Sequence, residues 1–590
     1  MTQNTIRIGG AAGFWGESDM ALPQLLNAGG LDFVVFDYLA EITLSIMARQ
    51  RAKDPSKGYA TDFVSAVMAP NLDEIARQGV RIISNAGGVN PEACAAALRD
   101  CIKEKGLSLS VAVVTGDDLM HRQSDFADVK EMFSGAPFPE GIASINAYLG
   151  AFPIACALDE GADIVITGRC VDSAVTLAAC IHAFGWGRAD LDLLSAGSLA
   201  GHILECGPQA TGGNFTDWQS VSEDLVNIGY PIAEVDKDGS FICTKPPGTG
   251  GQVSVATVGE QMLYEIGNPA AYALPDVICD FTHVTLEQIG TDRVQVSGAK
   301  GRAAPAHYKV SATYADGFRA GTIAFFQGER AADKARVFAN AALARARVKL
   351  KALKAPDFSE TLIEITGDES CYGVNARTIE ARDIAVKIAV RHPDMRAAGL
   401  LIKELTGLAL ATPPGLSFFG GGQSRPSPVI RLFSFLTPKS EVPVRISFAD
   451  RIFEMPAETG QAPEAAPSFA PTTPAGTADT LRPLSDLAVA RSGDKGDKAN
   501  IGILPRKPEF APWIWAALTE ESIARQFAHF LQGEVETFFL PGTGAMNILL
   551  HDVLGGGGMA SLRNDPQAKT YAQLLLQTPV PVPQSLMEAM

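Results

Sequence analysis

The chain has little of several features that define large protein classes. Charged residues make up 19% of its 590 residues, and 49 basic residues stand against 66 acidic ones, which gives a net charge of −17. This shortage of positive charge leaves no electrostatic footprint for nucleic acid or for an anionic membrane surface. No run of 18 apolar residues occurs, so no membrane-spanning helix is expected. We therefore expect neither nucleic acid nor a membrane as a partner.

Disulfide and secretion signals are also missing. The nine cysteines include no Cys-x-x-Cys pair, and an odd count without such spacing indicates reduced thiols. The opening MTQNTIRIGG has neither a basic n-region nor an apolar core, so no secretory signal is predicted. These features predict a cytoplasmic protein. The 46% of hydrophobic residues indicates a globular chain with substantial cores.

A proline-rich segment divides the chain. Residues 456–484 hold six prolines and almost no large apolar side chains, which predicts an extended linker. In front of it, residues 1–455 predict an α/β core. Short apolar runs alternate there with amphipathic segments over the first 200 residues, which favours a Rossmann-like parallel sheet. Period-two stretches within 230–450 indicate a mixed-sheet subdomain.

Beyond the linker, residues 485–590 predict a small α+β domain. Two early strands are followed by one long helix over about 511–531, further strands, and a last helix over about 566–576. This order suits a ferredoxin-like sandwich.

Three glycine-rich or polar loops directly follow predicted parallel strands, at Gly9–Ser18, Asn85–Pro91 and Thr167–Ser173. Because the carboxyl ends of such strands meet at one edge of the sheet, a site is expected there. The spacing of the first loop is GxxGxxG rather than GxGxxG, so three interpretations stay open. The glycines form a tight turn, a phosphate- or acyl-binding cradle, or an atypical nicotinamide site. The substrate-binding candidates in these loops are Gly10, Gly13, Asn85, Gly87 and Arg169.

Two motifs suggest specific chemistry. Arg169 is placed to bind a carboxylate or phosphate with Asp172 orienting it, although Asp172 or Ser173 also suits the cap of the next helix. In the second motif, a helix over 198–206 puts His202, Glu205 and Cys206 on one face. His202 and Glu205 then form a general acid/base pair, or His202 and Cys206 a thiol site, or all are structural. A helix C-terminus disfavours a thiolate, which favours the acid/base pair. No metal site is expected, because no second His or Cys pair has ligand spacing.

Further loops are weaker candidates. Gly213 and Gly250 lie in turn-rich segments that hold an oxyanion or phosphate or simply turn the chain, and no GK[ST] follows either of them. The run Gly420–Gln423 suggests a flexible lid. Beyond the linker, 491–497 is either a charged turn or part of a small site with 555–563. Its substrate-binding candidates are Asp494 and Lys495.

As a set, these stretches resemble the acyclic terpene utilisation (AtuA) family. The resemblance covers about 1–450 and 485–585, and the second range resembles the family's separate ferredoxin-like domain. The matching motifs are Gly9–Ser18, Asp37–Glu41, Asn85–Pro91, Asn146–Gly150, Thr167–Asp172, Gly201–Gly207, Gly248–Gly251, Arg491–Gly496 and Gly555–Arg563. Asn146 joins the substrate-binding candidates on this basis.

The resemblance implies catabolism of citronellol- or geraniol-type terpenoids through branched acyl-CoA thioesters. We therefore expect an enzyme that hydrates, cleaves or hydrolyses a branched acyl-CoA or related carboxylic acid. His202 and Glu205 would exchange protons, Arg169 would bind an anionic group, and coenzyme A would be present only as part of the substrate. The alternatives are a non-catalytic acyl-CoA-binding or scaffold subunit and an atypical NAD(P)-dependent enzyme. A homo-oligomer with a two-fold interface is also expected.

Overall fold

A computed structural model describes residues 4–377, 380–418, 424–456, 459–462 and 465–588. The predicted lid at Gly420–Gln423 lies outside these residues, as do four positions of the proline-rich segment. Among the described helices, none is both long and apolar enough to cross a membrane.

The region before the proline-rich segment contains twenty strands and ten α-helices in its described residues. The strands are β1 (Thr5–Gly10), β2 (Phe33–Phe36), β3 (Arg81–Ser84), β4 (Val111–Thr115), β5 (Ile142–Ala147), β6 (Ile164–Thr167), β7 (Ile232–Asp236), β8 (Phe241–Thr244), β9 (Tyr272–Ala273), β10 (Ile278–Asp280), β11 (Thr285–Gly290), β12 (Arg293–Ser297), β13 (Lys300–Arg302), β14 (His307–Gln327), β15 (Glu360–Thr366), β16 (Asp383–His392), β17 (Leu416–Phe418), β18 (Ser427–Pro438), β19 (Arg445–Phe448) and β20 (Arg451–Glu454). The α-helices are α1 (Ala21–Ala28), α2 (Glu41–Lys53), α3 (Ala69–Gln78), α4 (Pro91–Glu104), α5 (Phe152–Asp159), α6 (Ala174–Phe184), α7 (Leu191–Leu204), α8 (Val255–Met262), α9 (Ala331–Ala352) and α10 (Met395–Gly407). A π-helix spans Phe63–Met68, and 3-10 helices span Met120–Phe126, Gly207–Thr211, Trp218–Asn227, Ser370–Asn375 and Lys439–Glu441.

The main sheet has a parallel centre and antiparallel flanks. Its order is β11-β12-β8-β7-β1-β2-β3-β6-β4-β19-β20. The five central strands β1, β2, β3, β6 and β4 are parallel to one another. Alternate residues of one strand serve opposite faces. Ile82 packs with α1, α3 and α4, whereas Ile83 packs with α5, α6 and α7. The predicted α/β architecture is therefore present, with helices on both faces of the sheet.

A second, antiparallel sheet is centred on β14, the longest strand. Its order is β15-β16-β14-β17, and β5 and β18 also pair with β14. Helices α9 and α10 cover one face through buried residues such as Phe338 and Leu401. Strand β5 joins this sheet through Asn146, which pairs with Ser311. Asn146 also donates a hydrogen bond to Asp117, which follows β4, so β5 connects the second sheet to the carboxyl edge of the main sheet.

The C-terminal region forms an antiparallel sheet of order β22-β23-β25-β24. Its elements are β21 (Thr480–Pro483), α11 (Leu484–Leu487), β22 (Ala488–Lys495), β23 (Lys498–Pro505), the 3-10 turn Pro508–Phe510, α12 (Ala511–Ala517), α13 (Glu520–Gln526), β24 (Val535–Leu540), β25 (Ala545–Leu550), α14 (Tyr571–Leu575), β26 (Pro579–Val582) and α15 (Gln584–Glu588). The order ββαββα within β22–α14 is the ferredoxin-like order with its last strand moved to the front.

Two expectations for this domain need correction. The predicted single helix over 511–531 is divided in two, because Thr519 caps α13 by accepting a hydrogen bond from the Ser522 N–H. The last predicted helix shrinks to α14. In addition, β21 pairs with β26, so the residues from Thr480 onward belong structurally to the C-terminal domain.

A buried ion pair joins the two regions. The Arg491 guanidinium on β22 lies 2.9 Å from the Glu260 carboxylate on α8, and their side chains are 4% and 0% exposed. Arg491 also donates to the carbonyls of Gln209 and Gly213 and to Oε1 of Gln261. The C-terminal domain is thereby fixed to the α/β core by a fully enclosed charge.

Arg491→Met should destabilise the protein by about 3–5 kcal/mol, because it leaves the Glu260 carboxylate buried and unpaired. Urea unfolding of the full chain measures this loss. The double variant Arg491→Met/Glu260→Met should recover part of it. The control is Arg506→Met, whose partner Asp217 is partly exposed. If both single variants lower the free energy of unfolding equally, the buried pair is not the main contact between the domains.

Limited proteolysis should cut first within residues 456–479, whose described residues contain neither helix nor strand and are mostly exposed. The C-terminal fragment should remain bound to the core in size-exclusion chromatography, because the buried pair does not depend on the linker. First cuts elsewhere, or fragments that separate without denaturant, would count against this description.

Candidate functional site

The three predicted loops lie against one another and against the end of α7. A Cβ atom added at Gly10 would be 2.7 Å from the Leu204 carbonyl oxygen, and one at Gly13 would be 2.8 Å from that of Glu205. One at Gly87 would be 2.6 Å from the Thr167 carbonyl oxygen. These glycines therefore permit close backbone approach at the carboxyl edge of the sheet. The N–H groups of Gly10 and Gly13 already donate to Pro231 and Glu17.

His202 occupies the last turn of α7 and is 1% exposed. Its Nδ1 lies 2.8 Å from Oε1 of Glu205, at ion-pair distance. Its Nε2 is buried with no hydrogen-bond partner among the described residues. Burial raises the pKa of Glu205, and the nearby His202 opposes that rise. An imidazole with one carboxylate neighbour and one unused nitrogen is suited to taking and giving a proton.

Arg169 and Asp172 follow β6 as a pair. The guanidinium Nη1 lies 2.5 Å from Oδ1 of Asp172, and the guanidinium carbon lies 4.2 Å from the centre of the Tyr148 ring. The Arg169 side chain is 3% exposed, whereas that of Asp172 is 31% exposed. Ser173 precedes α6 without a side-chain cap. Asp172 therefore presents a carboxylate towards solvent, and a buried arginine holds it in place.

Asp117 is a site residue that the sequence analysis missed. Its Oδ2 accepts hydrogen bonds from the Arg169 N–H and from Nδ2 of Asn146, both at 2.8 Å. Burial raises its pKa to about 7, against the lowering effect of these two bonds. The sequence did contain a signal for this residue. Asp117 and Asp118 come just after β4, as the three predicted loops come just after their strands.

Asp37, which the sequence analysis named only as the start of a matching motif, is buried at the end of β2. Its carboxylate accepts a hydrogen bond from Nδ2 of Asn85, whose Oδ1 accepts the Tyr38 N–H. Burial raises the pKa of Asp37 well above its usual value, Asp172 raises it further, and Arg169 opposes the rise. Asn85 is therefore a scaffold for this buried acid, at the same edge as Asp172.

The C-terminal domain contributes Lys495 to the same place. Its Nζ lies 5.7 Å from the centre of the Tyr272 ring, and Tyr272 also lies beside His202, at 6.1 Å between ring centres. Burial lowers the pKa of Lys495, but its neighbours Tyr272, Glu265, Asp172 and Glu205 outweigh this and raise it. No described residue forms an ion pair with this ammonium. Lys495 is thus a positive charge at the junction of the two domains.

The remaining candidates are Cys206, Asp494, Gly213 and Gly250. Burial and the neighbouring Glu205 raise the pKa of Cys206, which keeps its thiol protonated. Asp494 pairs with Lys569 at 3.6 Å, and the carbonyl of Gly213 accepts from Arg491. Gly250 bonds to Asn227 and Gly229, and its Cα faces the Asp224 carbonyl. These positions support the surroundings of the cluster rather than its centre.

The helix predicted over 198–206 also ends earlier than expected. Helix α7 stops at Leu204, Glu205 is its C-cap, and Gly207 begins a 3-10 helix with φ of 50°. His202 and Glu205 still share a face, whereas Cys206 has left the helix. The acid/base pair and the thiol are therefore presented by different backbone segments.

The fold and the cluster define a two-domain α/β protein with buried carboxylates, a histidine and cations at the carboxyl edge of its main sheet. The chain belongs to the acyclic terpene utilisation family AtuA, because the model of that family matches residues 6–448. The model of the AtuA ferredoxin-like domain matches residues 482–581. Both matches confirm the resemblance drawn from the motifs. The chain matches no curated protein and no solved structure.

Asp117→Asn should flatten the dependence of stability on pH. Between about pH 4 and pH 7 the unfolded chain has released this proton and the folded protein retains it, so wild-type stability falls as pH rises. The pKa of Asp117 in the folded protein is about 7. The free energy of unfolding should therefore fall between pH 5 and pH 8 by about 3 kcal/mol less in the variant than in the wild type.

Urea unfolding at the two pH values measures this difference. The control is Asp125→Asn, which changes an exposed carboxylate in the following 3-10 helix and should keep the wild-type pH dependence. Parallel pH profiles for wild type and Asp117→Asn would contradict the buried, protonated state of Asp117.

Proposed function

We propose that this protein is an enzyme of acyclic terpene breakdown that performs proton-transfer chemistry on a branched acyl-CoA or related carboxylic acid. The reaction is a hydration, a lyase step or a hydrolysis. The family supports the metabolic setting. The observation that carries the proposal is the buried Nε2 of His202, which has no hydrogen-bond partner among the described residues and lies among carboxylates and cations.

The roles follow from position and charge. Hydration of a 2-enoyl thioester adds a hydroxyl group to the β-carbon and a proton to the α-carbon of the double bond. This step and its reverse require a proton carrier and a positive group near the carbonyl oxygen. His202 is the carrier, and Glu205 beside Nδ1 orients it and balances the imidazolium. Lys495 has no ion-pair partner in the described chain and is placed to receive the carbonyl oxygen or a carboxylate. Arg169 acts mainly through Asp172, because its guanidinium already lies against that carboxylate.

The proposal also specifies how coenzyme A and a nicotinamide cofactor relate to this site. Coenzyme A enters only as part of the substrate. The close packing of Gly10 and Gly13 on α7 supports their role as packing residues over that of a nicotinamide cradle. Formation of a two-fold homo-oligomer stays a prediction.

His202→Asn should lower kcat by about 10²–10⁴-fold, because a general acid/base contributes that much. Cys206→Ala should have a small effect, since burial keeps the thiol protonated. The assay uses branched 2-enoyl-CoA thioesters and the matching free acids. Loss of enoyl absorbance measures hydration, and release of free thiol measures hydrolysis.

The matched control is His182→Asn. His182 also pairs with a carboxylate, Asp159 at 2.6 Å, but it lies at the end of α6 and outside the cluster. It should keep wild-type turnover, and circular dichroism must show that all variants fold. An inactive, folded Cys206→Ala together with an active His202→Asn would replace the acid/base assignment with thiol chemistry.

A further inference from the structure

A cavity of about 590 Å³ opens beside the cluster, between α2 and β5. Small apolar groups line much of it, among them Ala48, Ala52 and Val89. Asn146 also lines it and is 1% exposed. Its Oδ1 is buried and has no hydrogen-bond partner within the described chain. The cavity therefore combines apolar walls with one unused acceptor, which suits an apolar ligand segment that carries an N–H or O–H donor.

The inner end of this cavity adjoins the candidate site. Asn146 and Arg169 donate to the same oxygen of Asp117, so the two residues are neighbours across a single carboxylate. Arg169 in turn holds Asp172. Asn146 is therefore linked through Asp117 and Arg169 to Asp172, one carboxylate of the candidate site.

The segment 49–57 contributes Arg51, Ala52 and Pro55 to the cavity lining, and we call this segment the rim. Residues 49–57 hold four cations, Arg49, Arg51, Lys53 and Lys57, against the single acid Asp54, in a chain whose net charge is −17. Arg51 lines the cavity and pairs with Asp118, whereas Arg49, Lys53 and Lys57 are exposed. Lys53 lies between the lining residues Ala52 and Pro55. An excess of cations at the rim of an apolar cavity favours a ligand with an anionic, phosphate-type end.

The basic segment is held in place by the second glycine loop. Nδ2 of Asn90 donates to the carbonyls of Pro55 and Lys57, and the Val89 N–H donates to the Gly58 carbonyl. The segment that carries the cations is thus fixed to the carboxyl edge of β3.

We propose that this cavity binds the pantetheine arm of a coenzyme A thioester, with the nucleotide phosphates against Lys53 and Lys57 and an amide N–H donating to Asn146. The acyl end then lies at His202. This inference rests on the proposed function and adds the binding mode of the substrate.

The test measures binding to the full-length protein by isothermal titration calorimetry, with coenzyme A, octanoyl-CoA and octanoate as probes. Lys53→Glu/Lys57→Glu should weaken binding of both coenzyme A compounds by about tenfold or more, because charge reversal replaces attraction with repulsion. Ala52→Phe should weaken them similarly by filling the cavity. Octanoate affinity should not change in the lysine variant.

Matched controls lie elsewhere in the α/β core. Lys351→Glu/Lys354→Glu reverses two exposed lysines at the end of α9, and Ala96→Phe enlarges an exposed alanine on α4. Both should bind coenzyme A like the wild type. Equal coenzyme A affinity in the wild type and in Lys53→Glu/Lys57→Glu overturns the inference, as does a wild type that binds octanoate but not octanoyl-CoA.

The inference and the proposed function can fail separately. Rim variants with a wild-type KM for the thioester, together with an inactive His202→Asn, overturn the binding mode and leave the catalytic assignment intact. Weakened coenzyme A binding in the rim variants, together with a fully active His202→Asn, supports the binding mode and removes the catalytic assignment.

Discussion

The buried guanidinium of Arg491 is the interaction on which the arrangement of the site depends. It pairs with Glu260 and donates to Oε1 of Gln261, and Nε2 of Gln261 donates to the carbonyl of His202 at 3.0 Å. A single charge from the C-terminal domain thus reaches the backbone of the candidate acid/base. Because a buried charge that loses its partner is costly, the domains keep one relative position, and Lys495 keeps its place beside Tyr272, which also lies beside His202.

The candidate site contains more carboxylates than cations. Burial of the carboxylates reduces the excess of negative charge. Burial raises the pKa values of Asp37, Asp117 and Glu205, so these groups carry less negative charge than their number suggests. Arg169 and Lys495 remain charged. This lowers the repulsion that an anionic substrate meets at the site.

The sequence predicted the part of the site that rests on local rules. Parallel strands end at one edge of the sheet, so the loops after β1, β3 and β6 were expected together. The spacing of His202 and Glu205 by three residues placed them on one helix face. Both expectations need only chain order and helical periodicity.

The rest depends on contacts between distant segments. Sequence alone did not show that Asp117 would bridge Arg169 and Asn146, because Asn146 belongs to a strand of the other sheet. Gly10 and Gly13 were ambiguous because glycine serves both for a ligand cradle and for close packing, and only the position of α7 distinguishes the two. The break at Thr519 depends on a local cap within a segment whose amphipathic pattern suggested one continuous helix.

The C-terminal motif RSGDKGD contains both residues that fix the domain to the core and Lys495 of the candidate site. Arg491 fixes the domain, and Ser492 bonds to Ala568 and Ala572 within it. Asp497 accepts the N–H groups of Leu554, Gly556 and Gly557, so the glycine run serves to close the loop around this carboxylate. Lys495 lies between these fixed points. The position of Lys495 is therefore fixed by hydrogen bonds on both sides that do not involve the substrate. Electrostatic stabilisation of a developing charge requires such preorganisation.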